Sequence, residues 1–361
     1  MSEDSHYTLV SKLKPSRIII PVVIGLAVVG WFIIKDINVD ALRKLHFTGS
    51  TVFWIFVAWC CMLGRDLGYM IRIRILTEKD LTWLQAFRVI MLWEFTSAIT
   101  PSTVGGTAVA VVFIHKEGIS IGRSTSVVLA TSFLDELYFV IMFPVILITV
   151  GGKILFTTSV ESIGVTFLNN LVIVAIVGYT IILAWVIFVG YGLFVDPVKI
   201  KQTLIYVFRL PLIRRWRESA VKAGNDIVES SRELKRKPFS FWLKVFAATF
   251  LSWTSRYWVV NAILVAFFSV SDHFLIFARQ LLTWIIMIIL PTPGGSGFAE
   301  VILGRYITDA IPADPAYAGS IAFAIAIIWR LISYYPYLLV GALIIPGWIQ
   351  KKFGRSISKK K

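Results

Sequence analysis

Apolar runs separated by short polar, mostly basic stretches recur from Ile18 to Ile345. Each is about 18 residues or longer, the length that crosses a hydrocarbon core. Runs of that length predict membrane-spanning helices, at about 18–35, 51–70, 124–150, 170–194, 241–268 and 317–345. Six crossings return both termini to one side. The first run, Ile18 to Ile34, is long enough to span and has no small-residue cleavage site after it, so it reads as a retained helix.

Two further apolar stretches, 81–114 and 274–307, are broken near their middles. The breaks read Thr100-Pro101-Ser102-Thr103-Val104-Gly105-Gly106 and Pro291-Thr292-Pro293-Gly294-Gly295-Ser296-Gly297. Pro removes a backbone donor and Gly permits sharp turns, so each stretch is expected to form two half-helices. Unwound backbone at membrane depth survives only inside protein or beside water, which suits a re-entrant hairpin. Residues 51–150 then run span, hairpin, span, and 241–345 repeat that order roughly 190 residues later. Arg65 aligns with Arg256, Thr100-Pro101 with Thr292-Pro293, Gly105 with Gly297, and Glu136 approximately with Arg330. The expected fold is an all-α polytopic membrane protein: six full spans plus two broken re-entrant hairpins in inverted-topology repeats, an arrangement typical of transporters with a midplane site. The domain reading is a cytoplasmic tail at 1–16, one transmembrane domain over 17–345, and a basic tail at 346–361.

Composition supports the bilayer as solvent. Of 361 residues 57% are hydrophobic and 16% charged, with mean hydropathy +0.78, too little polar surface for a water-soluble fold of this size. A net charge of +15 would suit nucleic acid in a soluble protein; here it orients the chain. Under the six-span topology 25 Lys and Arg fall on one side and 5 on the other, which makes the first side cytoplasmic, with both termini, in a cell (plasma or inner) membrane. No nucleic-acid partner is expected. Segment 196–240 sets 11 basic against 5 acidic residues among scattered apolar ones, as amphipathic helices at the membrane surface do. An ordinary positive-inside loop explains it better than dedicated headgroup binding. Cys60 and Cys61 are adjacent in an apolar run, fit no disulfide framework or metal site, and are expected to pack. No cofactor or metal is expected.

The second half-helix of each hairpin would begin near Thr103 to Thr107 and near Ser296 to Glu300. Two helix N-termini at mid-membrane could receive a phosphate or carboxylate through free backbone N–H groups; the alternative is two Gly-rich turns that only pack. Charges inside spans cost very roughly 3 kcal/mol each and need partners or water. Arg65, Arg256 and Arg330 are candidates for an anionic headgroup, with Asp135, Glu136, Glu94 and Glu300 balancing them or exchanging protons. Purely structural ion pairs could use the same residues. Arg88, Lys244 and Arg279 lie nearer the interfaces, where they are expected to snorkel.

The tract Pro293-Gly294-Gly295-Ser296-Gly297-Phe298-Ala299-Glu300, with the Thr100-Pro101 to Gly105-Gly106 break and Leu134-Asp135-Glu136, resembles the flippase-like transmembrane region of lysyl-phosphatidylglycerol synthases over about 17–345. The resemblance implies translocation of a lipid, an aminoacylated phosphatidylglycerol in the best-understood branch. Those synthases carry a large soluble catalytic domain after the membrane region. Here about 16 residues follow Ile345, so lipid aminoacylation is not expected.

Rival classes fit less well. Gly294-Gly295-Ser296-Gly297 formally matches a rhomboid-type serine motif, yet His6, His46, His115 and His273 all fall in the tail or at interfaces, leaving Ser296 without a base. A membrane phosphatase would use Glu94, Glu300 and an arginine. A scaffold explains the basic loop but not matched hairpins and buried charges. The expectation is therefore a non-enzymatic transporter of an anionic or aminoacylated phospholipid, with membrane lipids as partners. Self-association or a lipid-synthesis enzyme would be a further partner.

Overall fold

The computed structural model describes Gly30, Arg43 and residues 45–99, 103–156, 171–207, 217–287 and 298–357. The expected first span at 18–35 and the breaks at Thr100–Ser102 and 288–297 lie outside them, so Pro101, Pro293, Gly294, Gly295, Ser296 and Gly297 are not placed. Every regular element among the described residues is helical. In chain order they are α1 (Gly49–Leu76), α2 (Trp83–Ile99), α3 (Thr103–Lys116), α4 (Ile121–Val150), α5 (Gly152–Phe156), α6 (Leu171–Phe194), α7 (Pro197–Val207), α8 (Arg217–Leu234), α9 (Phe239–Phe267), α10 (His273–Met287), α11 (Phe298–Ile307), a short 3₁₀ turn (Thr308–Ala310), α12 (Pro315–Ser333) and α13 (Tyr335–Ile357).

Four helices are long and apolar enough to cross a bilayer: Gly49–Leu76, Ile121–Val150, Val172–Phe194 and Pro315–Lys352, the last running through the α12–α13 junction. They coincide with four of the six expected runs. The run at 241–268 is the 29-residue α9, which has the length but is diluted by Lys244, Arg256 and Asn261.

α1 begins at a capping box in which Thr48 and Thr51 satisfy each other's backbone donors. It ends where Glu78 and Lys79 turn into left-handed backbone, with φ of 53° and 69°. It therefore continues past residue 70 to Leu76, and this corrects the sequence reading: Arg72 is a buried helix residue and not part of a polar loop. The buried positions Ala58, Met62, Arg65, Tyr69, Arg72, Ile73 and Leu76 recur at helical spacing and form one face. That face packs along α9. A Cβ on Gly64 would lie 3.3 Å from Ser255 Oγ, and one on Gly68 would lie 2.9 Å from the Ala248 carbonyl. Small residues here let two backbones approach without a hydrophobic driving force, as in membrane helix pairs generally.

α2 and α3 pack on each other. Gly106 lies so close to α2 that a Cβ there would come within 2.9 Å of Ser97 Cα. α10 and α11 pack in the same way, and α13 lies along α2. Two prolines shape the long helices. Pro144 inside α4 cannot donate to the Val140 carbonyl, and the Tyr179 hydroxyl of α6 donates to that carbonyl at 3.2 Å instead. Pro336 coincides with the break at Tyr334, so the run expected at 317–345 is two helices, the second reaching Ile357.

Contacts gather the connections into two ends. At one, Lys237 donates to Glu78 at 2.7 Å, Arg123 pairs with Glu78, Asp80 and Glu233, and Glu117 meets Gln85, Trp348 and Lys352. α7 and α8 pack there, where the Ser231 hydroxyl donates to the Leu193 carbonyl at 2.7 Å. At the other end Arg279 reaches Asp309 and the carbonyls of Tyr306 and Ile154.

Candidate functional site

Arg65 lies near the middle of α1 with 0% of its surface exposed. Its guanidinium pairs with Asp66 at 2.8 Å and with Glu94 of α2 at 2.5 Å. It also sits over the rings of Tyr69 and Tyr337, at 4.7 and 4.8 Å from their centroids. Tyr337 of α13 donates its hydroxyl to both oxygens of Asp66 at 2.9 Å. One arginine thus joins α1, α2 and α13.

Two turns along the same face, Arg72 holds Asp135 of α4 in a two-pronged ion pair and reaches Thr249 of α9 at 3.3 Å. Trp253 donates its indole N–H to the same carboxylate at 2.6 Å. A third pair joins Arg330, at the end of α12, to Glu300, in the first turn of α11, at 2.8 Å. Both side chains are buried, and Glu300 also occupies the helix N-terminus, where negative charge is favoured. Arg330 lies over Tyr334, whose hydroxyl donates to the Ala98 carbonyl at the end of α2. Buried pairs of this kind are costly to break because the surviving charge has no water.

Arg256 and Glu136 differ. Arg256, on α9, lies over the indoles of Trp253 and Trp284 at 5.4 and 5.2 Å, and among the described residues it makes no ion pair. Glu136, next to Asp135 on α4, has no cationic partner among them, and its Oε2 is buried without a hydrogen bond. The Tyr257 hydroxyl and the Trp284 indole N–H are likewise buried and unsatisfied. Tyr257 lies within electrostatic reach of both Arg256 and Glu136. Where α4, α9 and α10 meet, the protein therefore leaves one cation, one carboxyl and two polar hydrogens without mutual satisfaction. Native interiors pair most buried polar groups, so this cluster is a candidate site.

Of the residues singled out from the sequence, the structure brings Arg65 to Glu94, Arg330 to Glu300, and Arg256 and Glu136 toward Tyr257. Asp135 goes to Arg72. Gly105 lies in the first turn of α3, beside Gly106.

The family model described as the lysylphosphatidylglycerol synthase TM region matches residues 18–341. The chain belongs to that family. It is 26% identical over 334 residues, covering 90% of this chain and 91% of the relative, to a UPF0104 membrane protein of Archaeoglobus fulgidus. No solved structure matches it.

In this member of the lysylphosphatidylglycerol synthase transmembrane family, two buried arginines escaped the sequence reading. Arg72 falls just beyond the run expected at 51–70, although it lies seven residues after Arg65, two turns along the same face. Arg279 was expected to snorkel and does not: it is buried, paired with Asp309, and donates to the Tyr306 carbonyl at 2.7 Å. No spacing pointed to Asp309. Lys244 is exposed.

Proposed function

We propose that this protein is a lipid flippase that moves an anionic or aminoacylated phospholipid between leaflets, with the headgroup received at Arg256. It acts as a six-span transporter with two re-entrant hairpins in inverted repeats. Its Glu78 end faces the cytoplasm, because the basic connections gather there. One observation carries the reading: Arg256 keeps a guanidinium over two indoles at membrane depth with no carboxylate among the described residues, while Arg65, Arg72 and Arg330 each have one. A cation in that setting suits an entering phosphate, which it would grip by a two-pronged, charge-assisted contact.

The inverted repeat draws support from the α1–α9 contact. Gly64 and Ser255 hold matching positions in the two repeats and meet each other, as residues on an axis between repeats must. Each hairpin is also closed at its open end by one carboxylate, Glu117 reaching Gln85 of α2 and Asp309 reaching Arg279 of α10.

The test is flipping of fluorescent phosphatidylglycerol in reconstituted vesicles, read by quenching of the outer leaflet. Arg256→Gln is expected to slow flipping about tenfold or more, the loss of one charge-assisted contact, while the protein inserts normally. Undiminished flipping by that variant would remove Arg256 from the site.

A further inference from the structure

Five carboxylates lie in α1, α2, α4 and α11 around the central layer, and four are held by arginine: Asp66 and Glu94 by Arg65, Asp135 by Arg72, and Glu300 by Arg330. The fifth is Glu136, halfway along the 30-residue α4, with Oε2 buried and unbonded. We propose that Glu136 is the site that binds a proton and couples its movement to that of the lipid. The proposal rests on the transport reading above and adds an energy source to it.

An ionised carboxylate without a cation or water is among the most costly groups to hold in a bilayer. Its neighbours decide when it can ionise. Asp135, on the same helix, adds a second negative charge that Arg72 and Trp253 offset. α1 brings Arg72, which holds Asp135, and Tyr69, whose ring lies under Arg65 and Arg72. α9 brings Arg256 and the unbonded Tyr257 hydroxyl, and α10 brings the unbonded Trp284 N–H. α6 brings tyrosines only. The charges of α3, α5 and α8 (Lys116, Lys153, and Glu229 with Glu233) belong to the two ends of α4.

Arg256 and Glu136 both lie within electrostatic reach of Tyr257, and Arg256 is also the group that a lipid phosphate would neutralise. With the phosphate bound, the positive charge beside Tyr257 is neutralised, and Glu136 takes a proton from water on one side, forming one O–H bond. When the lipid leaves on the other side, the O–H bond breaks and the proton passes to water there. No electrons move. Anion and proton therefore bind together, each raising the affinity for the other by the same factor, as linkage requires.

The test uses the full chain in phosphatidylcholine vesicles containing phosphatidylglycerol and a fluorescent phosphatidylglycerol tracer, with and without an imposed pH difference. The wild type is expected to flip several-fold faster under a gradient of one sign, and to carry protons with the lipid as seen by an entrapped pH dye. In Glu136→Gln, which mimics the protonated acid, the ratio of rates with and without gradient should fall to one. Wild-type flipping indifferent to the gradient would overturn the coupling and leave the flippase reading standing. No flipping of the tracer at all would overturn the transport reading for this lipid and the coupling with it. Infrared spectra decide the proton site independently: a protonated-carboxyl C=O band should appear in the wild type and vanish in Glu136→Gln, and its absence from the wild type would overturn the proposal whatever the flipping shows.

Discussion

Arg65 and Arg256 lie near the middles of two helices that pack against each other, roughly 190 residues apart in the chain, yet their surroundings are opposite. Arg65 is sealed by Asp66, Glu94 and two tyrosine rings and ties three helices together. Arg256 rests on two indoles and, among the described residues, meets no carboxylate. The same residue type therefore meets two different environments. An arginine so paired has its charge offset by neighbouring carboxylates, and an anionic ligand gains little there. An arginine held by π faces is placed, dehydrated on one side and still able to bind an anion.

The sharpest break in that comparison comes from the same change at both sites. Arg65→Gln leaves Asp66 and Glu94, both partly buried, without a cation and should cost about 3 kcal/mol of stability. Arg256→Gln removes only cation–π contacts and should cost about 1 kcal/mol or less. Unfolding of purified protein in detergent, by heat or by denaturing detergent, would measure both. Equal losses would mean that Arg256 is as structural as Arg65.

A smaller effect is expected from the contact that sets the two helices in register. Gly68→Leu drives a side chain into the Ala248 carbonyl of α9 and should destabilise by about 1–3 kcal/mol. Gly49→Leu, where nothing lies within 4 Å, is the control and should be near neutral. If Gly68→Leu also lowers flipping more than stability, the spacing between Arg65 and Arg256 matters to transport directly.

Much of this was legible in the chain, for a physical reason. Apolar length reports helices directly, so 51–70, 124–150, 170–194 and 317–345 were found. The cost of charge in hydrocarbon likewise marked Arg65, Arg256, Arg330, Asp135, Glu136, Glu94 and Glu300. Partner choice was not legible. It depends on helix rotation and tertiary contact, so Arg330 could not be assigned to Glu300, nor Asp135 to Arg72. Ends failed for a related reason: Arg72 and Arg279 look like interface residues by distance from the apolar centre, and only tertiary packing buries them. The α12–α13 break was missed because an average over a span-length window hides the local dip at Ser333-Tyr334-Tyr335-Pro336-Tyr337.

The least effect is expected at the Glu78 end, and it tests whether burial, and not charge pairing as such, separates the two arginines. Glu78 carries its own opposite charges: Lys237 donates to it at 2.7 Å and Arg123 at 3.1 Å, but its side chain is 52% exposed. The hydrogen bond from Lys237, helped by the charges of Lys237 and Arg123, holds the Glu78 carboxyl below the usual carboxylate range. A carboxyl lowered in the folded state contributes stability that is present at neutral pH and lost as pH falls through its folded-state value. Water and salt screen a pair this exposed, so Lys237→Ala should cost well under about 1 kcal/mol at low ionic strength and nothing measurable at high salt or in acid. Unfolding curves at two salt concentrations and two pH values would show it. A loss as large as that of Arg65→Gln would mean that pairing alone sets the cost, and the distinction between a sealed arginine and a ligand-ready one would fail with it.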